Sequence, residues 1–287
     1  MRCYTKKLLE GLESGYAELR IFPACNHSCN RRRRYQKTLL SQHRANHRRS
    51  FWVCFMIAIE NFCNNDWFLS ITFSEDIKDA ERLKMLKEKV IRFLMRKCNV
   101  KRLRMKYLYC WGRGDINENL HCHMLLNSFV SYEDLLACEK AYPGVHIDIE
   151  RIQNCRNRET DFENILIIIS YMFKHWDSLT DDDKKMIGKR YYGSRSLNKL
   201  TITETDDDQI DRPIEDSPTK LAKAIAKATD FEEINEIIGD VFPGYRLSGY
   251  YYQHGGTKRP CYMDQYGQLF VRLELVKIGS KLDRRTS

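Results

Sequence analysis

From Trp67 onward the hydrophobic pattern switches between two periods. "WFLSITFS" alternates apolar and small polar residues, as a strand does. "EDIKDAERLKMLKEKVIRFLMRKC" then places apolar residues at 77, 80, 83, 86, 90, 93 and 94. That is helical spacing, with acids early and bases late as the helix dipole favours. Leu103 to Trp111 reads as a second strand, "GRGDINEN" as a hairpin-like loop, and "LHCHMLLN" as a third strand. "SYEDLLACEKAY" opens with Ser131 and Asp134 as a capping box and reads as a helix, and "GVHIDIERI" alternates as a strand. "TDFENILIIISYMFKHW" opens with a second capping box, Thr160 and Glu163. Its Ile-rich middle has strand propensity, but length and cap make it a helix. The order β-α-β-β-α-β-α predicts an α+β fold of ferredoxin-like, split β-α-β type. In it an antiparallel sheet has helices on one face and a free face for a ligand.

On either side of this segment the pattern is less regular. Residues 1–62 read as a basic N-terminal arm with a helix from Phe51 to Asn61, and residues 63–200 as the main domain. Residues 201–287 read as a small C-terminal α+β extension, with helices in "SPTKLAKAIAKA" and "DFEEINEIIGD" and strands in "GYRLSGYYYQ" and "GQLFVRLELVK".

Charge sharpens the reading of the arm. The formal net charge is +9, but Asn30 to Ser50 is rich in Lys and Arg and lacks any acid, whereas Glu204 to Asp216 is acidic. The basic block reads as a polyanion-binding segment or as a solvated tail. With 43% hydrophobic and 30% charged residues the composition is that of a soluble globular protein. The longest apolar run, Phe51 to Ile59, is too short to span a bilayer. The N-terminus lacks a signal-peptide pattern, and 11 cysteines at irregular spacing fit reduced thiols in a cytoplasmic protein better than a disulfide framework.

Within the third strand, alternation separates Leu120, Cys122, Met124 and Leu126 from His121, His123 and Leu125. The first set points toward the helices and the second toward the open face. Two imidazoles side by side on a sheet face make a bidentate metal site or a solvated pair. With 8 histidines in 287 residues, chance supplies roughly 0.2 such pairs, so the motif needs support from its neighbours. Support comes from "SYMFKHW", where Tyr171 and Lys174 stand at i and i+3 on one helix.

In that order, "FLSITF", "HCHMLL" and "YMFK" resemble the three motifs of the HUH endonucleases across about residues 67 to 176. More narrowly, the chain resembles the rolling-circle replication initiator (Rep) proteins of phages, plasmids and related mobile elements. The later "KRYYGSRSLNK" and "FPGYRLSGYYY" are similar to the downstream part of such proteins. The resemblance implies sequence-specific nicking and joining of single-stranded DNA at a replication origin, in the cytoplasm of a bacterial host. His121 and His123 would hold Mg²⁺ or Mn²⁺ against the scissile phosphate. Tyr171 would attack phosphorus to leave a 5′-phosphotyrosine and a free 3′-OH, and Lys174 would steady the phosphate or the tyrosine. A phenol suits both attack and departure because its pKa of about 10 lies well below that of an alcohol. Such proteins usually carry an acidic or polar third ligand near the end of the preceding strand, where this chain has Cys110 and Trp111. A thiolate favours Zn²⁺ over Mg²⁺, so Cys110, Glu118, Asp115 or water completes the set. One tyrosine in the helix marks a single-tyrosine enzyme. Without a "GxxxxGK[ST]" motif, unwinding falls to a host helicase and synthesis to a host polymerase.

DNA contacts are expected from Arg31, Arg32, Arg33 and Arg34 in the arm and from Arg190, Tyr191 and Arg195 in "RYYGSRS". Cys25, His27 and Cys29, with Cys3, make a weak zinc candidate, and His43 and His47 read as solvated histidines. Two alternatives stay open: a mobilisation relaxase or single-strand transposase with the same motifs, and a non-catalytic RRM-like sheet that binds nucleic acid through exposed aromatics.

Overall fold

A computed structural model describes residues 4–23, 40–74, 80–114, 119–153, 161–206, 214, 217–248, 261–263 and 269–280. In chain order the elements begin with β1 (Tyr4–Glu10), β2 (Tyr16–Pro23), α1 (Leu40–Asn61), β3 (Trp67–Phe73), α2 (Ala80–Val100) and β4 (Tyr107–Arg113). They continue with β5 (Leu120–Leu126), α3 (Tyr132–Ala141), β6 (Val145–Arg151), α4 (Asp161–Asp177), α5 (Asp181–Ile187) and β7 (Tyr192–Gly193). The last are β8 (Thr201–Asp206), α6 (Pro218–Lys227), α7 (Phe231–Val241), β9 (Tyr245–Leu247), β10 (Cys261–Met263) and β11 (Leu269–Lys277). The fold is α+β. The chain divides into a central unit, residues 38–198, and a terminal unit made of residues 1–37 and 199–287.

The central unit is built on a five-stranded sheet in the order β6-β3-β5-β4-β7, antiparallel throughout. Its register aligns Ser70 and Cys110 with His123, and Thr72 and Gly112 with His121. Leu69, Ile71, Phe73, Trp111, Cys122 and Met124 share one buried face. The α2 stripe of Leu83, Val90, Ile91, Leu94 and Cys98 is buried with them, and Lys87 Nζ of the same helix donates to Tyr109 Oη at 2.8 Å. The expected division of β5 into an apolar face and a histidine face matches this arrangement.

The histidine face, however, is covered. α4 buries Ile165, Ile168, Ile169, Met172, Phe173 and Trp176 at helical spacing and packs on β4. α1 packs on α4 in turn, with Phe51 and Phe173 edge to face at 5.4 Å. The expectation of helices on one face only is thus corrected. A helix apolar around most of its circumference must be buried on several sides, and this sheet face receives it.

The terminal unit has a sheet that runs β10-β11-β2-β1-β8, with β9 added to β11. Leu8, Leu19, Ile21, Leu273 and Leu275 pack with Leu221, Ile225, Ile234 and Ile238 of α6 and α7. Residues 4–23, expected in a basic arm, are a β-hairpin, and α1 begins at Leu40, ahead of the expected Phe51. Charged Glu18 and Arg20 alternate with Ala17, Leu19 and Ile21, so the strand period was present beneath the charge. Gly15 closes the hairpin at φ 71°, and a Cβ there would lie 2.3 Å from that of Ser280.

Candidate active site

Three histidines converge between β5 and α4. His121, His123 and His175 are 7%, 2% and 7% exposed, and one ligand atom from each lies within 4.8 Å of the others. His121 Nδ1 lies 3.3 Å from the carbonyl of Asn119, and His175 Nδ1 lies 3.3 Å from the carbonyl of Arg113. A carbonyl only accepts, so each Nδ1 carries the proton and each Nε2 keeps a lone pair. His123 Nδ1 is 3.0 Å from Ser70 Oγ, and its buried Nε2 has no hydrogen-bond partner. Such an orphaned nitrogen is costly to bury unless something binds it. Burial, reinforced by His121 and His175, pushes the His123 pKa down to about 2, so this imidazole is neutral and ready to act as a ligand. The donor set and the orphaned nitrogen fit a divalent metal ion.

Gly112 makes the convergence sterically feasible. A Cβ at that position would lie 2.5 Å from His175 Cβ and 3.0 Å from His121 Nε2. Only glycine lets α4 approach β4 this closely.

Tyr171 completes the cluster. Its ring centroid is 4.3 Å from that of His175 and 4.9 Å from that of His123. Asn164, Ile168, Tyr171 and His175 form one stripe along α4, which explains how the expected nucleophile and a third histidine share a face. Tyr171 also borders a cavity of about 520 Å³ that it shares with Phe68, Ser70, Asp148 and Glu150. Lys174 sits on the same helix but is exposed.

The remaining expectations divide. His175 was missed, although its i+4 spacing from Tyr171 is legible in "YMFKH". Cys110 shares the histidine face but lies outside the triad. Its thiol donates to the carbonyl of Arg190 at 2.9 Å, and burial pushes its pKa well above the usual thiol range. Trp111 faces the other way and stacks on Phe73 at 5.8 Å. Glu118, Asp115, Arg31 to Arg34, Cys3, Cys25, His27 and Cys29 lie outside the described residues, as does the side chain of His43. His47 pairs with Asp177 at 3.5 Å rather than standing in solvent. Arg190 and Tyr191 line one cavity and Arg195 another, so the structure separates the residues of "RYYGSRS". None of the described helices is long and apolar enough to cross a membrane.

Comparison with known protein families, with curated proteins and with solved structures finds no match for this chain.

Proposed function

We propose that the chain is a metal-dependent endonuclease and strand transferase of the HUH, single-tyrosine type, and within that class an initiator of rolling-circle replication. The observation that carries this reading is the contact of Tyr171 with His123 and His175, two members of the triad that can hold a metal. The antiparallel order β6-β3-β5-β4, with α2 and α3 as the crossovers, supports the ferredoxin-like arrangement expected for that class.

In this reading Tyr171 Oη attacks a backbone phosphorus of single-stranded DNA, and the P–O3′ bond breaks as the 5′-phosphotyrosine forms. The freed 3′-OH primes synthesis, and its return to phosphorus releases the tyrosine and reseals the strand. A divalent ion held by His121, His123 and His175 would supply charge withdrawal from the phosphate oxygens. Three imidazoles fit Mg²⁺ poorly, and the donor chemistry favours Mn²⁺ or a later divalent ion over it. Packing of α4 on the sheet holds Tyr171 against the histidines and so supplies orientation. The same packing counts against an RRM-like binder, since the histidine face offers no open aromatic platform among the described residues.

The test incubates the protein and Mn²⁺ with a pool of labelled single-stranded oligonucleotides. The expected product is a covalent 5′ adduct, seen as a mass shift, that Tyr171→Phe abolishes. Undiminished cleavage by Tyr171→Phe would overturn the nucleophile assignment.

A further inference from the structure

A second cavity, of about 800 Å³, lies in the central unit where α4 and α5 meet β7. Its wall includes Trp176, Lys184, Lys189, Arg190, Tyr191 and Tyr192, and among the described residues no acid lines it. Three cations and three aromatic rings around one space are the chemistry that single-stranded nucleic acid needs: charge for the phosphates and flat faces for the bases. The volume suits one nucleotide, within the range of ordinary ligand pockets.

The cavity is also built rather than incidental. Lys189 N–H donates to Tyr192 Oη at 3.2 Å, and that hydroxyl donates to the carbonyl of Ile187. The Tyr192 ring stacks on Tyr109 with centroids 5.2 Å apart. The thiol of Cys110 holds the Arg190 carbonyl, so the backbone of the loop is pinned to β4. The Arg190 side chain makes no hydrogen bond or ion pair among the described residues, and burial works against its charge while Asp177 supports it. A half-buried guanidinium on a rigid loop is poised for an anion, and little ordering is left to pay on binding.

In strand order this cavity lies at the β7 edge, whereas the cavity beside Tyr171 is bordered by Asp148 and Glu150 of β6 at the other edge. Four strand spacings, about 19 Å, separate those edges.

We propose that this cavity binds one nucleotide of single-stranded nucleic acid, with its phosphate on Lys189 and Arg190 and its base against Tyr191. The choice of single-stranded DNA as the strand rests on the proposed nicking function; the binding chemistry does not.

The experiment measures fluorescence anisotropy of a short labelled single-stranded DNA oligonucleotide with the full chain in EDTA, across a salt series. The double variant Lys189→Gln, Arg190→Gln should bind about 10-fold more weakly, and its log-affinity against log-salt slope should fall by about 1.4, two contacts at about 0.7 each. Tyr191→Leu should weaken binding about 10-fold with the slope unchanged, as loss of a stacking face does. Lys185→Gln, an exposed lysine of α5 outside the cavity, is the control and should match the wild type. Melting curves check that each variant is folded. A double variant with wild-type affinity and slope would overturn the proposal, as would a wild type that does not bind the oligonucleotide. Binding that depends on these residues, without any adduct in Mn²⁺, would leave the cavity standing and sink the nicking function. An adduct with binding indifferent to these residues would do the reverse.

Discussion

Tyr171 and His175 stand one turn apart on α4 with ring centroids 4.3 Å apart, and His175 also reaches the two histidines of β5. The proposed nucleophile and one corner of the metal-holding triad therefore belong to a single rigid element. Movement of α4 away from the sheet would dismantle both at once.

Removing that corner should be felt in metal binding before any question of activity arises. His175→Ala should weaken Mn²⁺ or Zn²⁺ binding by more than the roughly 10- to 100-fold that loss of an outer-shell partner costs. Titration calorimetry measures it. The thermal stabilisation that saturating metal gives the wild type should shrink in parallel. Wild-type affinity in His175→Ala would remove this histidine from the site.

Two glycines make a matched pair. Gly112→Ala forces a Cβ to within 2.5 Å of His175 and should cost about 1–3 kcal/mol as α4 shifts, with weaker metal binding. Gly239→Ala, in α7, meets nothing within 4 Å and should stabilise by roughly 0.5–1 kcal/mol through helix propensity. Urea denaturation compares them, and equal signs would refute the steric account of Gly112.

Cys110 lies outside the histidine triad, and its thiol tethers the Arg190 carbonyl. Cys110→Ala should leave metal affinity within about twofold of wild type and cost about 1 kcal/mol for the lost thiol hydrogen bond and packing. The native thiol should resist alkylation at neutral pH, because burial disfavours its thiolate. Rapid alkylation of Cys110 in the folded protein would contradict the burial.

A pH effect is expected from the terminal unit. Burial holds the Glu274 carboxyl at about 8, against an ordinary 4.5, with Glu18 raising it and Arg272 opposing. Above 4.5 the unfolded chain releases this proton while the folded chain keeps it up to about 8. The group's stability contribution is thus full below 4.5 and falls as pH rises toward 8, by at most about 1.4 kcal/mol per pH unit. Glu274→Gln should flatten that loss, so that its advantage over wild type is larger at pH 8 than at pH 5. An advantage that does not grow with pH would refute it.

Local pattern was enough for the elements from β3 to α4 and for the facing of His121 and His123, because strand alternation and helix period are properties of neighbouring residues. The Tyr171 helix was legible for the same reason, and His175 was one turn further along in the same string. The hairpin at Tyr4–Pro23 was not read, because its strand partners lie more than 170 residues away, in β8 and β11. The basic block from Asn30 to Ser50, just beyond it in the chain, also drew the segment into the expected arm.

By itself the sequence determined which residues could serve as ligands and nucleophile, since that follows from side-chain chemistry and local spacing. Only the tertiary structure decided which of them meet. It covered the sheet face expected to be open, brought His175 rather than Cys110 to the histidine pair, and made Gly112 the point of approach. The physical reason is that α4, apolar on most sides, must be buried, and the place where it packs is set by steric fit across elements distant in the chain.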